Sequence, residues 1–105
     1  MKENLLKIIN HYGVVHQQRK LNEEVFELQE AIINRNLHWN YDTEIQDMKP
    51  LNEHIKEEIA DVLNVVEQFI YFYEIDVKEL IEIKHYKVNR QLERMKEEKW
   101  KKFYY

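Results

Sequence analysis

Residues 14–32 read VVHQQRKLNEEVFELQEAI. Val14, Leu21, Val25, Leu28 and Ile32 step by sevens, fours and threes, with Gln18 in the one gap, which is the period of a helix burying one face. The pattern predicts a helix from Val14 to about Asn34. Within it Glu24 and Glu27 stand three apart, so they project from one side, next to Leu21, Val25 and Leu28. Residues 54–66, HIKEEIADVLNVV, repeat the arrangement. Asn52 is a suitable N-cap, and Ile55, Ile59, Val62, Val66, Phe69 and Tyr73 form a stripe over about 53–74, with Glu58 and Asp61 three apart beside it. If the two stripes pack together, Glu24, Glu27, Glu58 and Asp61 converge.

Outward from this pair the chain stays helical. Leu5, Leu6, Ile8, Ile9 and Tyr12 predict a short first helix that meets Gly13, the only glycine. Residues 34–52 lose the period and include Lys49-Pro50, where proline disfavours helix in the residue before it, so they read as a connection. Asp76 with Glu79 resembles a capping box, and Val77, Leu80, Ile81, Val88, Leu92 and Met95 carry a fourth helix toward Trp100. One Gly and one Pro leave almost no turn chemistry for hairpins. The expected fold is all-α: three long helices and a short N-terminal one in a bundle. Phe26, Ile33, Leu63, Ile70 and Phe72 fall off the main stripes, so the bundle is expected to be completed by a second subunit, in a homodimer or homotetramer.

The 105 residues are expected to form a single domain spanning 1–105. With 16 Lys+Arg against 20 Asp+Glu the net charge is −4, which gives no basic excess for nucleic acid. No cysteine is present, which excludes disulfides, thiolate zinc sites and a Cys nucleophile. The N-terminus lacks the unbroken apolar run of a secretory signal, and Val62–Tyr73 is interrupted by Asn64, Glu67 and Gln68, too short to span a bilayer. The expectation is a cytoplasmic protein without a membrane segment.

Four carboxylates held close repel one another, and a divalent cation relieves that repulsion. Their hard oxygens suit Mg²⁺, or Mn²⁺, and Mg²⁺ completes its shell with water and substrate phosphates. Zinc is disfavoured, because His11 and His16 lie five apart and His38, His54 and His85 are scattered. Either Glu/Asp pair alone would be an ordinary solvated helix face. Two pairs at matched places on the two most regular helices carry the argument.

The segments HYGVVHQQRKLNEEVFELQEAI, residues 11–32, and KEEIADVLNVVEQF, residues 56–69, resemble the MazG-like branch of the all-α nucleoside triphosphate pyrophosphatases. The family pattern, Glu-x-x-Glu then Glu-x-x-Asp, falls on Glu24, Glu27, Glu58 and Asp61, and the similarity runs from about Tyr12 to Arg94. The intervening stretch is somewhat long here, which bears on substrate range. The resemblance implies a dimeric or tetrameric enzyme that cleaves a nucleoside triphosphate between the α- and β-phosphates, giving the monophosphate and pyrophosphate. Mg²⁺ on Glu24, Glu27, Glu58 and Asp61 would bridge the phosphates, and Glu23 or Glu27 is the candidate base for the attacking water.

Gln17 and Lys20, two turns and one turn before Glu24, are candidates to reach a base and a phosphate, and Asn64 a sugar or base; each is otherwise an ordinary helix-surface residue. Trp39 and Tyr41 are candidates to stack on a base or to anchor the connection. His16 reads as packed rather than catalytic. Lys84, Lys87, Arg90 and Arg94 give the fourth helix a basic side, where the family often sets a Lys/Arg pair against the triphosphate; pairing with Glu93 or Glu97 is the competing role. A dimeric dUTPase, a dCTP-selective hydrolase and a phosphoribosyl-ATP pyrophosphatase are the alternative enzymes. A non-catalytic helical interaction module is the alternative of another class.

Overall fold

A computed structural model describes the backbone of residues 1–41 and 48–104 and the side chains of residues 1–37 and 48–98. Among these residues there are four α-helices and no strand: α1 (Lys2–Tyr12), α2 (Val14–Tyr41), α3 (Lys49–Phe72) and α4 (Val77–Tyr104). No helix among them is long and apolar enough to cross a membrane. The chain divides into two compact units, Met1–Tyr73 and Glu74 onward. In the first, α2 lies along α3 and α1 packs on both. The second contains α4.

Gly13 separates α1 from α2 by a single residue. Its φ of 89° lies in the region that side chains avoid, and its N–H donates to the Ile9 carbonyl at 2.7 Å, closing α1. α2 runs past the expected end at Asn34 to Tyr41, because residues 35–41 contain neither Gly nor Pro and a helix needs no apolar stripe to continue. α3 begins at Lys49, not near 53. Pro50 stands in its first turn, where a missing N–H removes no helical hydrogen bond, so it starts the helix instead of ending the connection. Asn52 is therefore not the cap. Met48 holds that position, and the Asn52 side-chain oxygen accepts from the Arg35 Nε–H at 3.0 Å, joining α3 to α2. The chain leaves α3 through Tyr73 and Glu74, the latter at φ 53°. Asp76 then caps α4 as expected: its Oδ1 accepts from the Lys78 N–H at 2.8 Å and the Glu79 N–H at 3.4 Å.

The seam between α2 and α3 differs from the apolar stripes read in the sequence. Its buried positions are Gln17, Glu24 and Ala31 on α2 and Glu58, Val65 and Gln68 on α3, with Leu21, Leu28, Ile55 and Val62 half-buried between them. Val25, Ile32, Ile59 and Val66, expected in the core, are exposed. The spacing of threes and fours is the same, but each helix is rotated so that polar residues enter the seam and an apolar row faces outward. Leu5 and Ile9 of α1 are buried where that helix packs on α2 and α3, and Lys2 lies over the Tyr71 ring near the end of α3, 5.7 Å from its centroid.

Candidate metal and nucleotide site

The helical rotation that buries Glu24 and Glu58 opposes them across the seam. One carboxylate oxygen each of Glu24, Glu27 and Glu58 lies within 4.8 Å of the others. Asp61 stands outside that set. Asp61 is exposed on α3, about 60° around the helix from Glu58, and its side chain is one methylene shorter than that of a glutamate. There it lines, with Glu24, Glu23, Lys20 and Asn64, a hollow of about 660 Å³. Three of the four expected ligands thus meet, and the fourth faces the adjoining hollow.

Glu24 is only 6% exposed. Its Oε1 is 3.1 Å from the Lys20 ammonium, whereas its Oε2 is buried without a hydrogen-bond partner, as is Oε2 of Glu58. A buried carboxylate oxygen left without a donor is costly, and two such oxygens on facing helices repel as well. A divalent cation between them answers both costs, and an all-carboxylate donor set fits Mg²⁺ or Mn²⁺. Lys20 also approaches Glu23 at 3.6 Å, so among the expected substrate contacts it is one already engaged by acids.

The charges leave their mark on proton affinity. Glu27 is held above its ordinary value of 4.5, first by the negative charge of Glu24, then by lost hydration and by Glu58. Lys20 is raised above 10.5, chiefly by its hydrogen bond and charge contact with Glu24. The sign for Glu27 follows directly. Between 4.5 and the higher folded value the folded metal-free protein binds more proton there than the unfolded chain, so this group's contribution to stability falls as pH rises across that window. Comparison of metal-free wild type with Glu27→Gln should show melting temperatures that diverge above about pH 4.5, the variant becoming the more stable. Saturating Mg²⁺ should erase that difference or reverse it, and parallel curves at every pH would contradict the assignment.

Gln17, expected to face a nucleotide, and Gln68 are both 3% exposed. The Gln17 Nε2–H donates to Gln68 Oε1 at 2.8 Å across the seam, and Gln17 Oε1 lies 2.8 Å from His16 Nδ1. His16 itself is exposed, stacked on Tyr12 with ring centroids 4.7 Å apart and planes 16° from parallel, so it is packed on one face only. Glu23 is exposed at the rim of the hollow, and Asn64 is exposed on its wall.

The chain matches no protein-family profile, no curated protein and no solved structure.

Two residues were missed in the sequence. His54 places Nε2 3.9 Å from Glu58 Oε1 and lines a second hollow with Glu27 and Glu58. Its i, i+4 relation to Glu58 was the available signal. Gln68 continues Asp61 and Val65 by fours and threes, which puts it on the same side of α3. Lys84, Lys87 and Arg90 lie exposed along α4, with the Arg90 guanidinium 5.9 Å from the Tyr86 ring centroid. The side chains of Trp39 and Tyr41 lie outside the described residues.

Proposed function

We propose that the chain is a Mg²⁺-dependent nucleoside triphosphate pyrophosphohydrolase of the MazG-like kind, converting (d)NTP and water to (d)NMP and pyrophosphate. The observation that carries this reading is the pair of buried, unpartnered carboxylate oxygens of Glu24 and Glu58, set against Glu27. The sequence pattern around Glu24, Glu27, Glu58 and Asp61 supports it independently.

In this reading Glu24, Glu27 and Glu58 hold the cation, and Asp61 joins from the adjoining hollow. Mn²⁺ can replace Mg²⁺ on the same oxygens. The bound ion would supply charge neutralisation for the phosphates and acidify a coordinated water. Glu27, the exposed member of the set, and Glu23 at the rim of the hollow are the candidate bases for the attacking water. Lys20 offsets the acidic charge beside the phosphates and Asn64 meets the nucleoside, while Gln17, proposed from the sequence as a direct contact, is buried and hydrogen-bonded to Gln68 and serves the wall behind it. Lys84, Lys87 and Arg90 are the proposed basic contacts for the triphosphate. The test is turnover on a broad panel of common and modified nucleoside triphosphates with Mg²⁺ and with Mn²⁺. A panel without turnover under either ion would defeat the reading.

The working form proposed is a homodimer or homotetramer. Among the described residues only Leu5, Ile9, Ala31 and Val65 are buried apolar side chains, a small core for a stable protein. Phe26 and Ile33 on α2 are 59% and 57% exposed, and Leu63 on α3 is 50% exposed, in rows at helical spacing. Covering each such side chain contributes up to about 1.5–3 kcal/mol. Light scattering at micromolar concentration should give two or four times 13.1 kDa. A mass of one chain would contradict this.

A further inference from the structure

The buried amide pair Gln17–Gln68 runs in one direction in the structure, and His16 stands at its outer end. An amide oxygen only accepts, so the contact between His16 and Gln17 Oε1 requires the hydrogen to sit on His16 Nδ1. Gln17 then donates to Gln68 Oε1, which occupies the Gln68 oxygen and leaves its N–H₂ group without a partner among the described residues. That nitrogen is not sealed off: among the described residues the only fully buried, unpartnered side-chain atoms are those of Glu24 and Glu58, and Gln68 lines the hollow that holds Glu24 and Asp61. Asn64, exposed on the same wall, has no hydrogen bond to fix it among the described residues and can turn either end of its amide inward. Among the described residues the chain from His16 through Gln17 is the hydrogen-bonded connection that reaches Gln68.

We infer that His16, through Gln17, orients Gln68 as a hydrogen-bond donor and so makes the hollow select a nucleobase that presents a keto oxygen over one that presents an amino group at the same ring position. This rests on the nucleotide reading of the hollow and deepens it. His16 is a positioning residue: it acts on the ligand through two amides, and Tyr12 stacked on it holds the ring in place. Facing an amino group, Gln68 would set donor against donor, and a mismatch of that kind lowers affinity by roughly tenfold. Reversing the relay turns the Gln68 oxygen outward, and that requires His16 Nδ1 to accept.

The experiment uses the full chain without metal and four nucleoside monophosphates in two pairs, 4-keto uridine against 4-amino cytidine and 6-keto inosine against 6-amino adenosine. Binding is measured by calorimetry on wild type, His16→Phe and Gln68→Met, and the ¹⁵N shifts of His16 are recorded. The expected result is a hydrogen on His16 Nδ1 and roughly tenfold tighter binding of the keto member in at least one pair. That ratio should fall toward one in both variants. His16→Phe keeps the stack on Tyr12 at an exposed position, so it should fold even if Gln68→Met does not. Equal affinity within both pairs, a ratio unchanged in His16→Phe, or a hydrogen on Nε2 alone would overturn the inference. Turnover with Mg²⁺ in the same preparations separates the two levels. Hydrolysis with no keto preference defeats the relay alone, and a keto preference that moves with His16 but without hydrolysis defeats the enzyme and leaves the relay standing. If no monophosphate binds, the relay is rejected whether or not hydrolysis is seen.

Discussion

Glu58→Gln is expected to lower pyrophosphate release by on the order of 10³-fold at saturating Mg²⁺, because it removes the one α3 carboxylate in the set within 4.8 Å. The same change should not weaken the metal-free fold. Glu58 Oε2 is buried and unpartnered, as is Oε2 of Glu24, and the two carboxylates bring oxygens within 4.8 Å of each other. An amide there removes one of two repelling charges and offers Glu24 a donor, so the metal-free melting temperature should hold or rise. Addition of Mg²⁺ should stabilise wild type, by about 2.7 kcal/mol at a hundredfold excess over Kd, and leave the variant unchanged. Asp61→Asn, outside the close set, should also cut turnover while keeping more of the metal-induced stabilisation than Glu58→Gln. Wild-type rates in Glu58→Gln would count against the site.

The second large effect is expected at Arg90. If its guanidinium meets the triphosphate in the transition state, Arg90→Ala should cost about 2.7–4 kcal/mol in kcat/KM, roughly a hundredfold or more. Lys87→Ala should cost less, since an ammonium is a point charge and cannot fork two donors onto phosphate oxygens. Arg90 lies over Tyr86, and losing that contact at an exposed site changes stability by only about 0.5–1 kcal/mol. A small change in melting temperature with unchanged kcat/KM in both variants would return these residues to the ordinary surface of α4. Neither is ion-paired in the structure among the described residues, whereas Lys96 pairs with Glu93 at 3.0 Å.

The number of helices and the short linker at Gly13 were legible because apolar spacing and a single glycine speak for themselves. The ends were less so. Asn34 looked like the end of α2 because the apolar period stops there, yet nothing in residues 35–41 breaks a helix. Pro50 reads as a terminator from the residue before it and as an initiator from its own missing N–H, and only the position of Met48 decides between the two. The site was legible as two Glu/Asp pairs three apart, but its depth was not. Glu24, Glu58, Gln17 and Gln68 are polar, and a binary pattern assigns polar residues to solvent. The structure rotates both helices to bury them and leaves Val25 and Ile59 outside. That rotation follows from how α1, α2 and α3 pack together, which no single helix encodes. Gln68 and His54 were missed for the same reason: each matters only because of what the opposing helix or the next turn places beside it.

The most direct test of the central claim is the ³¹P spectrum of a nucleoside triphosphate incubated with the full chain and Mg²⁺. The expected products are a nucleoside monophosphate and pyrophosphate, formed in equal amounts and abolished by a chelator. An unchanged triphosphate across the panel, or a diphosphate with orthophosphate, would contradict the assignment of Glu24, Glu27, Glu58 and Asp61 to pyrophosphohydrolysis.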